Sequence, residues 1–222
     1  MCGRYALFKL LDEIDHFLGV LERRGEIAPS YNVAPTNRMP VAFVDDSGKR
    51  VAENMHWGFM GWKPKEGQKP FLPINTRDDS LMKKPMWQRA FLSRRCLVPM
   101  NGFYEWQGPK GKKVPHYIYP KEGEFLAAAG IFSDFSPVDG FRSYSVITTS
   151  PNSLMGPIHD RMPAFLHPSE FNDWLNPDQP EDLLIDMLQP YPDDAIAEHI
   201  VSKAVGNVRN NKSELVEPAT LF

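Results

Sequence analysis

The 222-residue chain carries 25 lysines and arginines against 28 aspartates and glutamates, a net charge of −3, and is 42% hydrophobic, enough for a sizeable core. No stretch of eighteen apolar residues is present and the N-terminus lacks a basic-then-apolar leader, so a soluble, cytoplasmic protein without a membrane partner is expected. Cys2 and Cys96 are the only cysteines, too few for a disulfide framework or a multi-cysteine zinc site.

Leu7, Leu10, Leu11, Ile14, Phe17, Leu18 and Leu21 recur at helical spacing before Gly25, which predicts an amphipathic helix over 7–24. Short strands are predicted at 39–44, 50–57, 95–100, 114–120, 125–132, 141–149 and 196–201, separated by turn-forming clusters such as Asp45-Asp46-Ser47-Gly48 and Gly108-Pro109-Lys110-Gly111. Such connections are too short for parallel crossovers. The expected fold class is therefore α+β: a mainly antiparallel, barrel-like sheet core in a single domain over 1–222. A few flanking helices are expected at 7–24, around 78–91 and within 168–189. Residues 58–76, with three glycines and three prolines, form the longest irregular stretch and are a candidate binding loop. Cys96, in the apolar run Cys96-Leu97-Val98, is expected in the core.

Charge is segregated. Residues 169–198 hold nine acids and no lysine or arginine, so the rest of the chain is net positive. Basic residues gather between Arg77 and Arg95, at Lys110, Lys112 and Lys113, and at Lys203, Arg209 and Lys212. That distribution admits a polyanionic partner despite the negative total.

Cys2 directly follows the initiator methionine. Once Met1 is removed, an α-amine of ordinary pKa near 7.7–8.0 and a thiol of pKa near 8.5 stand on adjacent carbons. A 1,2-aminothiol captures aldehydes: the amine forms a Schiff base and the thiol closes a thiazolidine ring. Around it, Gly3 permits close approach and Arg4 supplies a permanent cation. Tyr31-Asn32-Val33-Ala34-Pro35 reads as a turn. Asn75 and Arg77, two apart in Pro73-Ile74-Asn75-Thr76-Arg77, share a face if extended, one able to bond a sugar and the other a phosphate. Glu105, among the aromatics of Gly102-Phe103-Tyr104-Glu105-Trp106, has the desolvated setting that makes a carboxyl a general acid. His159, within Pro157-Ile158-His159-Asp160-Arg161-Met162-Pro163, stands in a proline-bounded loop between charged neighbours, a setting for proton transfer. No pair among the six histidines has helical metal-ligand spacing, so no metal and no cofactor are expected.

Together with Trp57-Gly58-Phe59 and Ala204-Val205-Gly206-Asn207, these segments resemble the SOS response-associated peptidase (SRAP) family of abasic-site processing proteins along essentially the whole chain. The resemblance implies a protein of the DNA damage response that crosslinks to abasic sites in single-stranded DNA, through chemistry related to that of abasic-site lyases. It implies Cys2 as nucleophile, Asn75 orienting the opened sugar, Glu105 acting in ring opening and His159 tuning formation and reversal. Arg4, Asn32, Arg77 and Arg161 match DNA-contacting positions, and Trp62 the aromatic that stacks on a base. Lys63 stands where many relatives have a second aromatic, which points to a phosphate contact there. The competing reading is a cysteine-type peptidase with Cys2 attacking an amide and His159 as base. Nothing in the sequence demands more than a monomer.

Overall fold

The computed structural model describes residues 2–219; Met1, whose removal the aminothiol chemistry requires, lies outside the described residues. The described residues form fourteen strands, four α-helices and several 3-10 turns. In chain order the strands are β1 (Tyr5–Leu7), β2 (Glu22–Arg24), β3 (Ser30–Val33), β4 (Arg38–Val44), β5 (Arg50–Trp57), β6 (Asn75–Arg77), β7 (Arg95–Met100), β8 (Gly102–Gln107), β9 (Val114–Pro120), β10 (Leu126–Ser133), β11 (Ser143–Thr149), β12 (Met162–Pro163), β13 (Phe165–Leu166) and β14 (Ile196–Ile200). The helices are α1 (Leu11–Leu18), α2 (Pro85–Ser93), α3 (Phe171–Leu175) and α4 (Glu181–Asp186).

One sheet has five antiparallel strands in the order β14-β9-β8-β1-β3. The other runs β12-β11-β10-β7-β4-β5-β2, and an additional β5–β11 ladder closes five of its strands into a ring. The expected mainly antiparallel, barrel-like core with a few helices is therefore present. All seven predicted strands occur within two residues of their expected limits. One expectation is corrected: β2–β5, β5–β11 and β6–β11 are parallel ladders. The partners in these ladders are joined not by single turns but by stretches that hold other elements, β3 and β4 between β2 and β5, and α2 with β7 to β10 between β6 and β11.

The predicted helix over 7–24 is also corrected, to Leu11–Leu18. Leu7 ends β1, and Gly19, at φ 65°, stops α1 in the left-handed conformation well before Gly25. Leu21 is consequently exposed, and 22–24 becomes a strand beside β5. The helix placed at 78–91 resolves into a 3-10 turn at Asp78–Ser80 followed by α2, whose first residue is Pro85. Residues 168–189 hold two short helices and a 3-10 turn.

A single residue, Asn101, carries the chain from the barrel into the five-stranded sheet. Its side-chain oxygen accepts from Phe8 N–H at 2.8 Å and its amide donates to Glu124 O at 2.7 Å. Gly102 follows because a Cβ there would lie 2.5 Å from the Ile118 carbonyl oxygen and 2.5 Å from the Tyr117 ring. That close approach fixes the β8–β9 register, which sets Glu105 opposite His116. Cys96 is fully buried in the main core, as expected.

Candidate functional site

β1 is an interior strand between β3 and β8, with Tyr5 opposite both Val33 and Phe103. Tyr104 N–H donates to Arg4 O at 2.9 Å, continuing the β1–β8 ladder and bringing Gly3 opposite Glu105. Cys2 thus stands beside Glu105, and it is fully buried. It packs in the same core cluster as Tyr5, Trp57 and Tyr144. Tyr5 and Tyr144 share a hydrogen bond between hydroxyls at 2.8 Å, and Trp57 packs edge-on against Tyr5 with centroids 5.1 Å apart. Burial pushes the Cys2 thiol up to about 12, the nearby Glu105 carboxylate adds to the rise, and a hydrogen bond to Arg4 O at 3.7 Å opposes it. The thiol is therefore protonated at neutral pH.

Asn75 reaches Cys2 from β6, which is held in the barrel by its parallel ladder with β11. Its amide nitrogen donates to the Cys2 carbonyl oxygen at 2.7 Å, and its side-chain oxygen is buried without a hydrogen-bond partner. Glu105 is 3% exposed. Gln107, two residues on and on the same face, donates to Pro157 O at 3.1 Å and draws the 157–163 loop over that face. In this loop the Nδ1 of His159 accepts from Arg161 N–H at 3.0 Å and also lies 2.9 Å from Asp160 Oδ1. The two contacts need opposite protonation of Nδ1. The backbone bond belongs to the neutral tautomer with Nε2–H as a donor, and the Asp160 contact to a ring that carries its proton on Nδ1.

The predicted DNA contacts divide. Trp62 and Lys63 are exposed on the 58–74 loop, and Arg77 is exposed and paired with Asp79 at 2.7 Å. Arg161 is engaged internally: its side chain is 9% exposed and Nη2 donates to Asp78 at 2.5 Å and to Thr148 O. Asn32 is engaged internally as well. Its oxygen accepts from Arg4 Nη1 at 2.8 Å and its nitrogen donates to the carbonyls of Val205, Asn207 and Asn210, leaving it 3% exposed. The Arg4 guanidinium, half-buried, donates to Val205 O at 2.9 Å and lies 5.9 Å from the Trp106 ring centre. Because Arg4 pairs with Tyr104, it points to the sheet face opposite Glu105, and the Arg4 guanidinium is not among the charges that act on the thiol. The basic stretch from Arg77 to Arg95 is likewise broken up. Arg94 pairs with Asp134, and buried Arg95 donates to the carbonyls of Trp174, Phe91, Leu92 and Asn176 at the ends of α2 and α3.

Sequence reasoning missed Asp78, the partner of Arg161, and the Tyr5–Trp57–Tyr144 floor under Cys2. It also passed over His116 except as a metal ligand. The alternation of strand 114–120 could have signalled that His116 shares a face with an inward-pointing neighbour. Among the described residues no group of three or more His, Cys, Asp or Glu is placed to hold a metal ion, and no helix is long and apolar enough to cross a membrane.

Residues 1–208 match the SOS response associated peptidase (SRAP) family. The chain belongs to this family. It is 37% identical to the abasic site processing protein YoqW of Bacillus subtilis, over 98% of this chain and 99% of that protein. It is 32% identical to the abasic site processing protein HMCES of Rattus norvegicus, over the whole of this chain and 77% of that one. A crystal structure of a protein from Bacteroides thetaiotaomicron shares the fold, with a TM-score of 0.85 at 24% identity, covering 99% of this chain and 100% of that one.

Proposed function

We propose that this SRAP protein processes abasic sites in single-stranded DNA by covalent capture, with Cys2 as its N-terminal residue after loss of Met1. The closed sugar of an abasic site carries no aldehyde until it opens. Glu105 takes the proton of the C1 hydroxyl and returns one to the ring oxygen, which frees the aldehyde. The Cys2 amine then adds to C1 and water leaves, giving an imine. The thiol sulfur adds to the imine carbon, the C=N electron pair moves to nitrogen, and nitrogen takes the thiol proton, closing a thiazolidine. His159, through Nε2–H, donates to the oxygen that departs from C1, and its protonation tunes reversal. The buried, unpartnered oxygen of Asn75 is an acceptor for a hydroxyl of the opened sugar.

The observation that carries this reading is the placement of Cys2, fully buried, with its carbonyl held by Asn75 at 2.7 Å and Glu105 close enough to act on its thiol. Thiol peptidases keep their cysteine as a thiolate beside a cation. Here burial and the Glu105 anion act the other way, pushing the thiol up to about 12. A protonated thiol beside a free amine suits imine formation first and ring closure second, and it disfavours direct attack on an amide. Trp62, Lys63 and Arg77, all exposed, are the groups available to stack on a base and to hold phosphates.

The test is incubation of purified protein with an abasic single-stranded oligonucleotide, followed by a denaturing gel. A heat-stable adduct is expected from wild type and none from Cys2→Ala. Intact mass should show Met1 absent from the reactive fraction. An adduct from Cys2→Ala, or full activity with Met1 retained, overturns the proposal.

A further inference from the structure

His116 is a buried histidine to which the reaction above assigns no role. It is 6% exposed, its Nδ1 lies 2.7 Å from Glu198 Oε2, and its Nε2 is buried without a hydrogen-bond partner. It occupies the position on β9 directly opposite Glu105 on β8. In an antiparallel pair such residues leave the same face of the sheet with Cβ atoms about 4.5–5.5 Å apart. Glu198 joins that face from β14, where Ile200, two residues on, pairs with His116. The three side chains therefore run inward from solvent: the Glu198 side chain is 32% exposed, that of His116 7%, and Glu105 as a residue 3%.

We propose that Glu198 and His116 form a proton relay that couples the buried Glu105 carboxyl to solvent, making His116 a positioning residue for the acid–base step. The proposal rests on Glu105 serving as the acid–base group of the reaction above. An ionised Glu198 accepts from Nδ1–H, which fixes the tautomer and leaves the lone pair on Nε2. Nε2 makes no hydrogen bond to Glu105 in this structure, so the hand-off takes one bridging water. When Glu105 has taken a proton from the C1 hydroxyl, the Glu105 O–H proton passes to the water as a proton of that water passes to Nε2. The Nδ1 proton passes to Glu198 and from there to water. The reverse sequence reloads Glu105. The other titratable groups near this face are Cys2, which feels the Glu105 charge, the hydrogen-bonded Tyr5 and Tyr144 beneath it, and His159 and Asp160 on the loop that Gln107 holds over it. None of them connects Glu105 to the β14 edge.

The acid-rich segment 169–198 is thus not remote from the chemistry, since its last residue is the solvent end of this relay.

The experiment measures single-turnover adduct formation with an abasic oligonucleotide from about pH 5 to about pH 9 for wild type, His116→Phe, His116→Gln and Glu198→Gln. Both His116 variants should slow the reaction roughly ten-fold or more, within the range of general acid–base effects, and should flatten the pH profile. Glu198→Gln should slow it less and shift the profile. Affinity for an undamaged single strand should not change. In parallel, nitrogen-detected NMR of the histidine rings at one fixed pH should show the His116 ring-nitrogen signals changed in Glu105→Gln, because the group it exchanges protons with is altered. A wild-type pH profile in a folded His116 variant overturns the relay. So do His116 ring signals that ignore Glu105→Gln, a measurement that needs no abasic DNA. If those signals respond while wild type forms no adduct, the Glu105–His116 coupling stands and the abasic-site reading falls.

Discussion

Asn75 and Cys2, 73 positions apart in sequence, meet through a 2.7 Å hydrogen bond from the Asn75 amide to the Cys2 carbonyl. The bond ties the first described residue of the chain to a strand of the barrel. It fixes the backbone from which both amine and thiol project while leaving the other polar atom of Asn75 open. Asn75→Ala should therefore slow adduct formation by roughly five- to thirty-fold, as expected for losing about 1–2 kcal/mol of positioning hydrogen bonds. Asn75→Asp should be at least as slow, since a carboxylate cannot donate to the carbonyl. A gel time course at saturating protein checks both, and wild-type rates in either variant would sink the positioning role.

The thiol setting gives a pH prediction with a definite sign. A thiol held near 12 in the folded protein, against an ordinary value of 8.5–9, binds its proton more tightly when folded. Stability contributed by the protonated thiol is present below the unfolded pKa and is lost as pH rises from about 9 towards 12, at up to about 1.4 kcal/mol per pH unit. Alkylation of Cys2 by iodoacetamide should be slow at neutral pH and rise about ten-fold per unit through pH 10. Glu105→Gln removes an anion and should accelerate alkylation at fixed pH. Mass spectrometry of the labelled peptide reads this out, and rapid labelling at neutral pH would contradict it.

Arg161 and Asp78 form an ion pair with little access to water, which Thr149 supports by donating to the second Asp78 oxygen at 2.8 Å. Breaking a buried pair by removing one partner leaves the other charge uncompensated. Arg161→Ala should destabilise the protein by about 3–5 kcal/mol in urea unfolding, and Asp78→Ala comparably. The Arg161 variant, where folded, should leave the salt dependence of DNA binding unchanged. A flattened salt slope at wild-type stability would place Arg161 on the DNA surface.

The salt dependence itself should be modest. With Arg77 and Lys63 exposed and Arg4 engaged by Asn32 and Val205, about two phosphate contacts are available, so log affinity against log salt should have a slope of roughly −1.4 for a single strand. Arg77→Ala should flatten it by somewhat less than one unit and weaken all sequences alike. Titration of an undamaged oligonucleotide at several salt concentrations measures it. A slope near zero would remove the proposed DNA groove.

The strands were legible because seven of them are continuous apolar or alternating runs bounded by glycine and proline turns, a local signal. β1, β2, β6, β12 and β13 have three residues or fewer, too short for any period to show, and they exist through pairing with distant partners. α1 was over-extended because the apolar spacing of Leu7 and Leu21 imitates a helix continued at both ends. Only the left-handed Gly19 and the β1 ladder reveal the true limits. At the site, the residue types announced themselves: an aminothiol at the start, a glutamate among aromatics, a histidine in a rigid loop. The sequence did not reveal which charges are spent internally. Arg161, Arg95 and Asn32 look like surface polar groups until their distant partners, among them Trp174 and Asn176 for Arg95 and Asn210 for Asn32, are in place.

The position of β1 has a mechanical consequence. A nucleic-acid strand joined to Cys2 would hang from a segment clamped on both sides by antiparallel ladders, to β3 and to β8. Tension along such a segment shears both ladders at once and divides among their hydrogen bonds, whereas an outer strand would unzip one bond at a time. A motor hauling on the nucleic acid would have to extract an interior strand from a five-stranded sheet before the protein let go. The anchor point thereby sets the grip of the attached protein under force, separately from the chemical lifetime of the bond.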